Sequence, residues 1–361
     1  MTATTFYYLC PDDAHPLGGV RRIYRHVEIL TASGRAAAVL HNDGDFQCGW
    51  FHSAAPVVAS ADVALRPTDV LVVPEVYGPG IGAVAPGIPK VVFNQNAYQT
   101  FFGYGLEEHV DGCPYLGDSD VLGVMVVSRD NADYLGYAFP RAKVVRVPCS
   151  VDPALYFVPK RPKLRQVAFM PRKRRADAQQ ILNILRYRGA LRDWDVVAIE
   201  NMPEFQAAAI MRDSALFLSF SHQEGFGLPA AEALASGCHV IGYHGRGGRE
   251  FLRPEFSVPV EDGDIIGFAR AVERVLRTYD DRADGFARSR LAASHFIRSR
   301  YSPAVERGAL LAFTDAMQEA VAGHAGLEVS VASVEPVAVD RVVELPEDLP
   351  VDVESEAPSY G

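Results

Sequence analysis

The sequence has no apolar run near the ~18 residues that would span a bilayer, no CxxC pair among its five cysteines, and little positive charge to spare. The first absence excludes a membrane-spanning helix. The amino terminus, MTATTFYYLC, also lacks a basic stretch followed by a long apolar core, so a cytoplasmic location is expected. The scattered, odd-numbered Cys10, Cys48, Cys113, Cys149 and Cys238 argue against a disulfide frame or a zinc site and for reduced, buried thiols. Residues 1–160 carry eleven bases against sixteen acids, so no broad basic face is offered to nucleic acid or an anionic membrane, and no nucleic-acid partner is expected. No repeat at solenoid periods is present.

What is there is the composition of a globular protein. The chain has 361 residues, 48% hydrophobic and 22% charged, enough for two domains with separate cores. The net charge of -10 is concentrated at one end: from Glu328 to Gly361 nine acids meet one base, Arg341. This Val-, Pro- and Glu-rich stretch, 328–361, reads as a disordered acidic tail. Apolar strand-like runs at 4–9, 36–41, 69–75, 90–96, 121–128 and 143–148 alternate with helical stretches. A second series follows at 166–171, 194–200, 215–221 and 239–244, with helices near 175–188, 203–212 and 227–236. Near-continuous apolar strands separated by helices require parallel sheets covered on both faces. Two such series predict an α/β protein of two doubly wound, Rossmann-like domains, 1–155 and 156–302, joined by a proline-rich linker near 149–164. The segment 303–322 reads as a last helix with Ala309, Leu310, Phe313 and Met317 at helical spacing.

Open parallel sheets bind ligands at the carboxyl ends of their strands. Three loops there carry unusual chemistry. After the first strand, PDDAHPLGGV places Gly18 and Gly19 directly before a helix, where backbone amides can approach an anion without Cβ interference. In the second domain, MPRKRRADAQQ sets Arg172, Lys173, Arg174 and Arg175 at a strand end, cations suited to phosphate oxygens. The third loop, SHQEGFGLPAAEALAS, places Glu224 before the turn Gly225-Phe226-Gly227 and Glu232 inside an Ala-rich helix that begins at Leu228-Pro229. Glu232 lies about five residues, or ~7.5 Å, along that axis from Gly227. Two acids so separated suit the hydroxyl-bearing ends of one elongated ligand whose central anion rests on the helix start. A carboxylate pair for glycoside hydrolysis competes, but leaves the glycine turn and the cations without a role.

The stretch EGFGLPAAEALASGCHVIG resembles the E-x7-E signature of retaining glycosyltransferases of family GT4, which adopt the GT-B fold. VVRVPCSVDPALYF resembles the interdomain stretch of that family, VMVVSRDNADYL the segment before it, and LGGV its amino-terminal Gly-Gly loop, in the same order over most of residues 4–320. The resemblance implies that Glu224 contacts hydroxyls of the donor sugar, that Glu232 holds the nucleotide ribose, and that Arg172 with Lys173 binds the diphosphate. Gly225, Phe226, Gly227, Leu228, Gly18, Gly19 and Arg174 become donor-binding positions. It implies a sugar moved from a nucleotide-diphosphate sugar to an acceptor hydroxyl with retention of anomeric configuration, by front-face substitution, without metal or cofactor beyond the nucleotide-sugar co-substrate. It also implies that the last helix crosses back onto the first domain.

The pattern departs from the family in two places. The basic pair is usually Arg followed about five positions later by Lys; here that position is Asp177 and the cations adjoin, which leaves Arg172, Lys173 and Arg174 as alternatives. Where relatives place a His near the sugar, this chain reads FNQNAYQTF, so Gln95, Asn96, Tyr98 or His15 from the first loop become candidates on the acceptor side. The acceptor, whether a saccharide, a lipid-linked sugar or a small molecule, is left open. Asp43-Asp45, Asp118-Asp120, Asp193-Asp195 and Asp262-Asp264 match a D-x-D metal motif, but short acidic matches are common in a chain with 45 acids, and no metal is expected. A nucleotide-sugar epimerase of the same fold and a non-catalytic nucleotide-sugar-binding protein are the competing readings.

Overall fold

A computed structural model describes residues 4–15, 17–46, 48–106, 113–117, 120–324 and 332–333. The first sheet has seven parallel strands in the order Val57–Ala59, Ala37–His41, Phe6–Leu9, Val70–Pro74, Lys90–Asn94, Val121–Val126, Val144–Arg146. The second has five, in the order Asp195–Ala198, Leu164–Phe169, Ser214–Glu224, His239–Arg246, Ser257–Val260, again all parallel. The central strand of the first sheet is buried throughout and that of the second from Ser214 to Ser221, largely with Val, Leu and Phe, as helices on both faces demand.

The strands at Val57–Ala59 and Ser257–Val260 are edge strands that the apolar pattern does not mark. Each is short, and Pro259 is tolerated because an outer strand need not donate every N–H to a ladder. Ser214–Glu224 runs three residues past its expected end, with a register shift between Ser221 and Glu224 and a positive φ of 42° at Gln223. Glu224 is therefore the last residue of a bulged strand rather than the first of a loop, and a bulge re-aims the side chains around it.

The chain returns to the first domain through Pro303–His324, which packs on the helix Gly18–Ala32. Leu310, Phe313, Met317 and Val321 join Val20, Ile23, Val27 and Leu30 in a core that also includes residues of the second domain. Two segments thus connect the domains, and they touch: the amide of Val151 donates to the carbonyl of Tyr301 at 2.9 Å. At the helix interface Glu306 is fully buried. It takes Nη1 of Arg22 at 2.9 Å and Oγ of Ser150 at 2.5 Å, while Nη2 of Arg22 donates to the Ser150 carbonyl. Burial alone would raise the Glu306 carboxyl, but Arg22, with His26, the Ser150 hydroxyl and Arg25, holds it below the usual range. Removing one member would strand a buried charge.

The expected acidic tail lies outside the described residues except Ala332 and Ser333, which pair antiparallel with Leu65 and Ala64. That pairing departs from a tail wholly apart from the fold. A short strand with unpaired N–H and C=O groups is a ready partner for any nearby extended chain.

Candidate active site

In an open parallel sheet the crevice forms where strand order reverses. In the second sheet that point lies between Leu164–Phe169 and Ser214–Glu224, and the loops leaving both strands meet there. Nζ of Lys173, from the first loop, stands 3.0 Å from Oε1 of Glu224, at the end of the second strand. Both side chains are about one-fifth exposed, close enough to solvent for a ligand to reach. The other cations are differently engaged. Arg174 spans to Nδ1 of His222 and to Asp262, each at 2.7 Å, Arg175 pairs with Glu200, and Arg172 is exposed in the same loop. Burial, followed by Arg174, keeps His222 below its ordinary pKa.

Beyond Glu224 the turn brings the two domains into backbone contact. A Cβ added to Gly225 would lie 1.7 Å from the carbonyl oxygen of Gln95 in the first domain, so no other residue fits without moving the domains apart. Gly227 occupies the left-handed region, φ 88°, as N-cap of Leu228–Ala235. No side chain caps that helix, which leaves its first amides for a ligand. Leu228 lies against Gly18, where an added Cβ would meet its Cδ1 at 3.4 Å. The side chain of Phe226 turns into the core against Phe251 and Tyr301, both at 5.1 Å between ring centroids. Its expected donor contact is therefore left to its backbone.

The facing loop of the first domain is held by an acid that sequence reasoning passed over. Glu75, at the end of Val70–Pro74 and 3% exposed, accepts the amides of Gln95 at 3.0 Å and Asn96 at 2.8 Å. Burial pushes its carboxyl up to about 7, against the pull of those amides. Fixed this way, Gln95 Nε2 donates to the Gly19 carbonyl at 3.2 Å, and Asn96 Nδ2 donates across the cleft to the Gln223 carbonyl at 2.9 Å. Tyr98 donates to Asp130 at 2.7 Å. His15 is exposed and its Nδ1 lies 2.8 Å from Asp13 of its own loop. The signal for Glu75 was an acid directly after an apolar strand, DVLVVPE, at the carboxyl edge where sites gather.

Glu232 occupies a different setting. It lies in a recess with Arg22, Ser150, Tyr156 and Glu204, between the second domain and the helix of the Gly-Gly loop. Burial, and then the neighbouring Glu204, pushes its carboxyl up to about 8, while Arg22 and the Tyr156 hydroxyl pull the other way. Arg22 thus bridges the Glu306 cluster and Glu232. It was not singled out from sequence, because its partner Glu306 lies 284 residues away.

Two of the D-x-D matches, Asp43-Asp45 and Asp262-Asp264, have local structural uses. Asp43 accepts the Asp45 amide at 2.9 Å, Asp264 caps the helix Ile265–Thr278 through Gly267 at 2.8 Å, and Asp262 takes Arg174. Among the described residues no three His, Cys, Asp or Glu side chains gather as a metal site would. The match Asp118-Asp120 is only partly within the described residues.

Residues 195–288 match the family model described as Glycosyl transferases group 1. The match includes both acids, Glu224 and Glu232, and leaves the basic loop at 172–175 outside it. The two parallel-sheet, Rossmann-like domains match the fold of GT-B glycosyltransferase structures, and the family match falls on the second of them. The chain is 24% identical over 317 residues to an alpha-1,6-glucosyltransferase of Actinobacillus pleuropneumoniae serotype 7, covering 83% of this chain and 87% of that protein. Among solved structures it resembles Alr3699/HepE of Anabaena in complex with UDP-glucose, with a TM-score of 0.64 at 12% identity over 86% of this chain and 99% of that one. It also resembles S. aureus TarM in complex with UDP, with a TM-score of 0.52 at 15% identity. That likeness covers 70% of this chain, which spans only 56% of the TarM chain.

Proposed function

We propose that this protein transfers a sugar from a nucleotide-diphosphate sugar to an acceptor hydroxyl with retention of anomeric configuration and without a catalytic metal, as family GT4 enzymes do. The observation that carries the reading is the Lys173–Glu224 pair at the strand reversal, beside the uncapped helix start. Lys173 and the amides after Gly227 neutralise the diphosphate, with Arg172 at the rim. Glu224 accepts hydrogen bonds from the donor sugar, and Glu232 accepts them from the ribose diol. The Gln95–Asn96 turn, fixed by Glu75, closes the cleft opposite the sugar. As the anomeric C–O bond to phosphate breaks, the acceptor oxygen forms its bond on the same face, and its proton passes to the departing phosphate oxygen. Preorganised positive charge on that leaving group is the largest rate term in such a scheme. The alpha-1,6-glucosyltransferase relative and the UDP-glucose held by Alr3699/HepE favour a UDP-hexose as the first donor to try.

Incubation with a panel of nucleotide sugars and saccharide acceptors, read by NMR of the product linkage, tests this. Transfer with the donor's anomeric configuration, unaffected by EDTA, is expected. Conversion of donor without acceptor, an inverted product, or activity lost to EDTA and restored by Mn²⁺ would each overturn the corresponding part.

A further inference from the structure

On the hinge side of the molecule a cavity of about 320 Å³ is lined by four arginines and one acid. It shares no residue with the Lys173–Glu224 pair or the Glu232 recess. Arg129 opens the helix Arg129–Ala138 and Arg146 ends the last strand of the first sheet. Glu250 and Arg253 come from the second domain, and Arg300 and Tyr301 from the segment that leads back to the first. The cavity therefore touches both domains where the two connecting segments run side by side.

Its charge is unbalanced. Nη2 of Arg146 pairs with Oε2 of Glu250 at 2.9 Å, but among the described residues Arg129, Arg253 and Arg300 form no ion pair. Nε of Arg146 is buried without a hydrogen-bond partner, the Glu250 carboxylate also takes the Tyr301 hydroxyl and the Arg129 amide, and Nε of Arg253 donates to the Glu250 carbonyl at 3.4 Å. The Phe296 ring carries both Arg253, at 4.5 Å, and Arg300, at 5.0 Å. Stacking orients the guanidinium groups without neutralising them. Three guanidinium groups that line one cavity without a carboxylate of their own leave its positive charge open to an anion, and each offers a fork of donors that matches two oxygens of a phosphate.

We propose that this pocket binds a phosphate dianion, either free phosphate or the monoester of a small metabolite. By joining Arg129 and Arg146 of the first domain to Arg253 and Arg300 beyond it, the anion holds the domains in one relative position. A ligand that binds only the folded chain raises its melting temperature by mass action.

Thermal unfolding of the full chain, with sodium chloride at matched ionic strength as control, tests the proposal against inorganic phosphate and glycerol phosphate. Because the donor site also carries cations, the titration is repeated in Lys173→Ala. Saturating phosphate should raise Tm by at least about 3 °C in both proteins. In Arg253→Gln/Arg300→Gln the concentration needed should rise at least about tenfold. Arg129→Gln, which removes an exposed side chain outside the core, should weaken binding in the same direction and decides the matter if the double variant fails to fold. Tighter binding of glycerol phosphate would identify a metabolite as the source, and tighter binding of inorganic phosphate the free ion. Equal stabilisation by chloride, or a phosphate effect lost in Lys173→Ala but kept in the arginine variants, would overturn the proposal.

Discussion

Glu224 and Glu232 belong to one strand-turn-helix unit, yet they stand in opposite electrostatic settings. Glu224 is partly exposed and directly paired with Lys173. Glu232 sits in a recess where burial and Glu204 oppose its ionisation and Arg22 only partly compensates. The difference comes from the backbone: a bulged strand end projects the first acid toward the cleft, whereas a helix of small residues carries the second between the domains. Under the proposed function the first end is built for charge that develops during reaction, and the second for neutral hydroxyls that must be bound before it.

The largest expected effect falls on the first end. Lys173→Ala and Glu224→Ala should each lower kcat by about 100-fold or more, while Glu224→Ala leaves the Kd for the bare nucleoside diphosphate within about twofold. Calorimetry with equal nucleotide loss for Glu224→Ala and Glu232→Ala would erase the division between the two acids. A middle-sized effect is expected at the second end: Glu232→Ala should weaken nucleoside diphosphate binding about tenfold, the scale of one hydrogen bond lost from a buried partner. Unchanged Kd in that variant would move the ribose elsewhere.

The smallest effect concerns pH and stability. Glu232 and Glu75 titrate higher in the fold, at about 8 and about 7, than the 4.5 of an ordinary glutamate. Below pH 4.5 both states hold the protons and no penalty arises. As pH rises toward 7–8, the unfolded chain releases protons that the folded chain retains, and stability falls. Glu232→Gln removes its share of that loss, so the variant should gain on the parent between pH 5 and 8 in urea unfolding and match it near pH 4. Parallel pH profiles would show Glu232 to be ionised in the fold already.

The strand series, the two sheets and the last helix were legible because their periodicities are local, whereas the return of that helix to the first domain was implied by the family resemblance. The edge strands were not, because three or four residues at a sheet margin need no apolar signature. At the site, Glu224, the glycine turn and the basic loop could be read from residue type and order. That Lys173 stands beside Glu224 and Arg174 does not could not be read, because it depends on Asp262 and His222, which engage Arg174. Glu75 and Arg22 were missed for a related reason: a buried acid or base acquires its role from partners brought together only by the fold.

The tie between Arg22 and Glu306 also sets an order of events for the growing chain. The two residues are 284 positions apart, and the apolar face of Gly18–Ala32 is covered by the same late helix. At synthesis rates of 5–20 residues per second, that helix leaves the ribosome roughly 15–60 s after its partner. Once Val144–Arg146 has followed and the sheet can close, the nascent first domain still has neither the counter-charge for Arg22 nor the cover for Val20, Ile23 and Val27. A ribosome stalled before Pro303 would therefore hold a first domain with a sticky flank, a substrate for chaperones that the finished protein no longer presents.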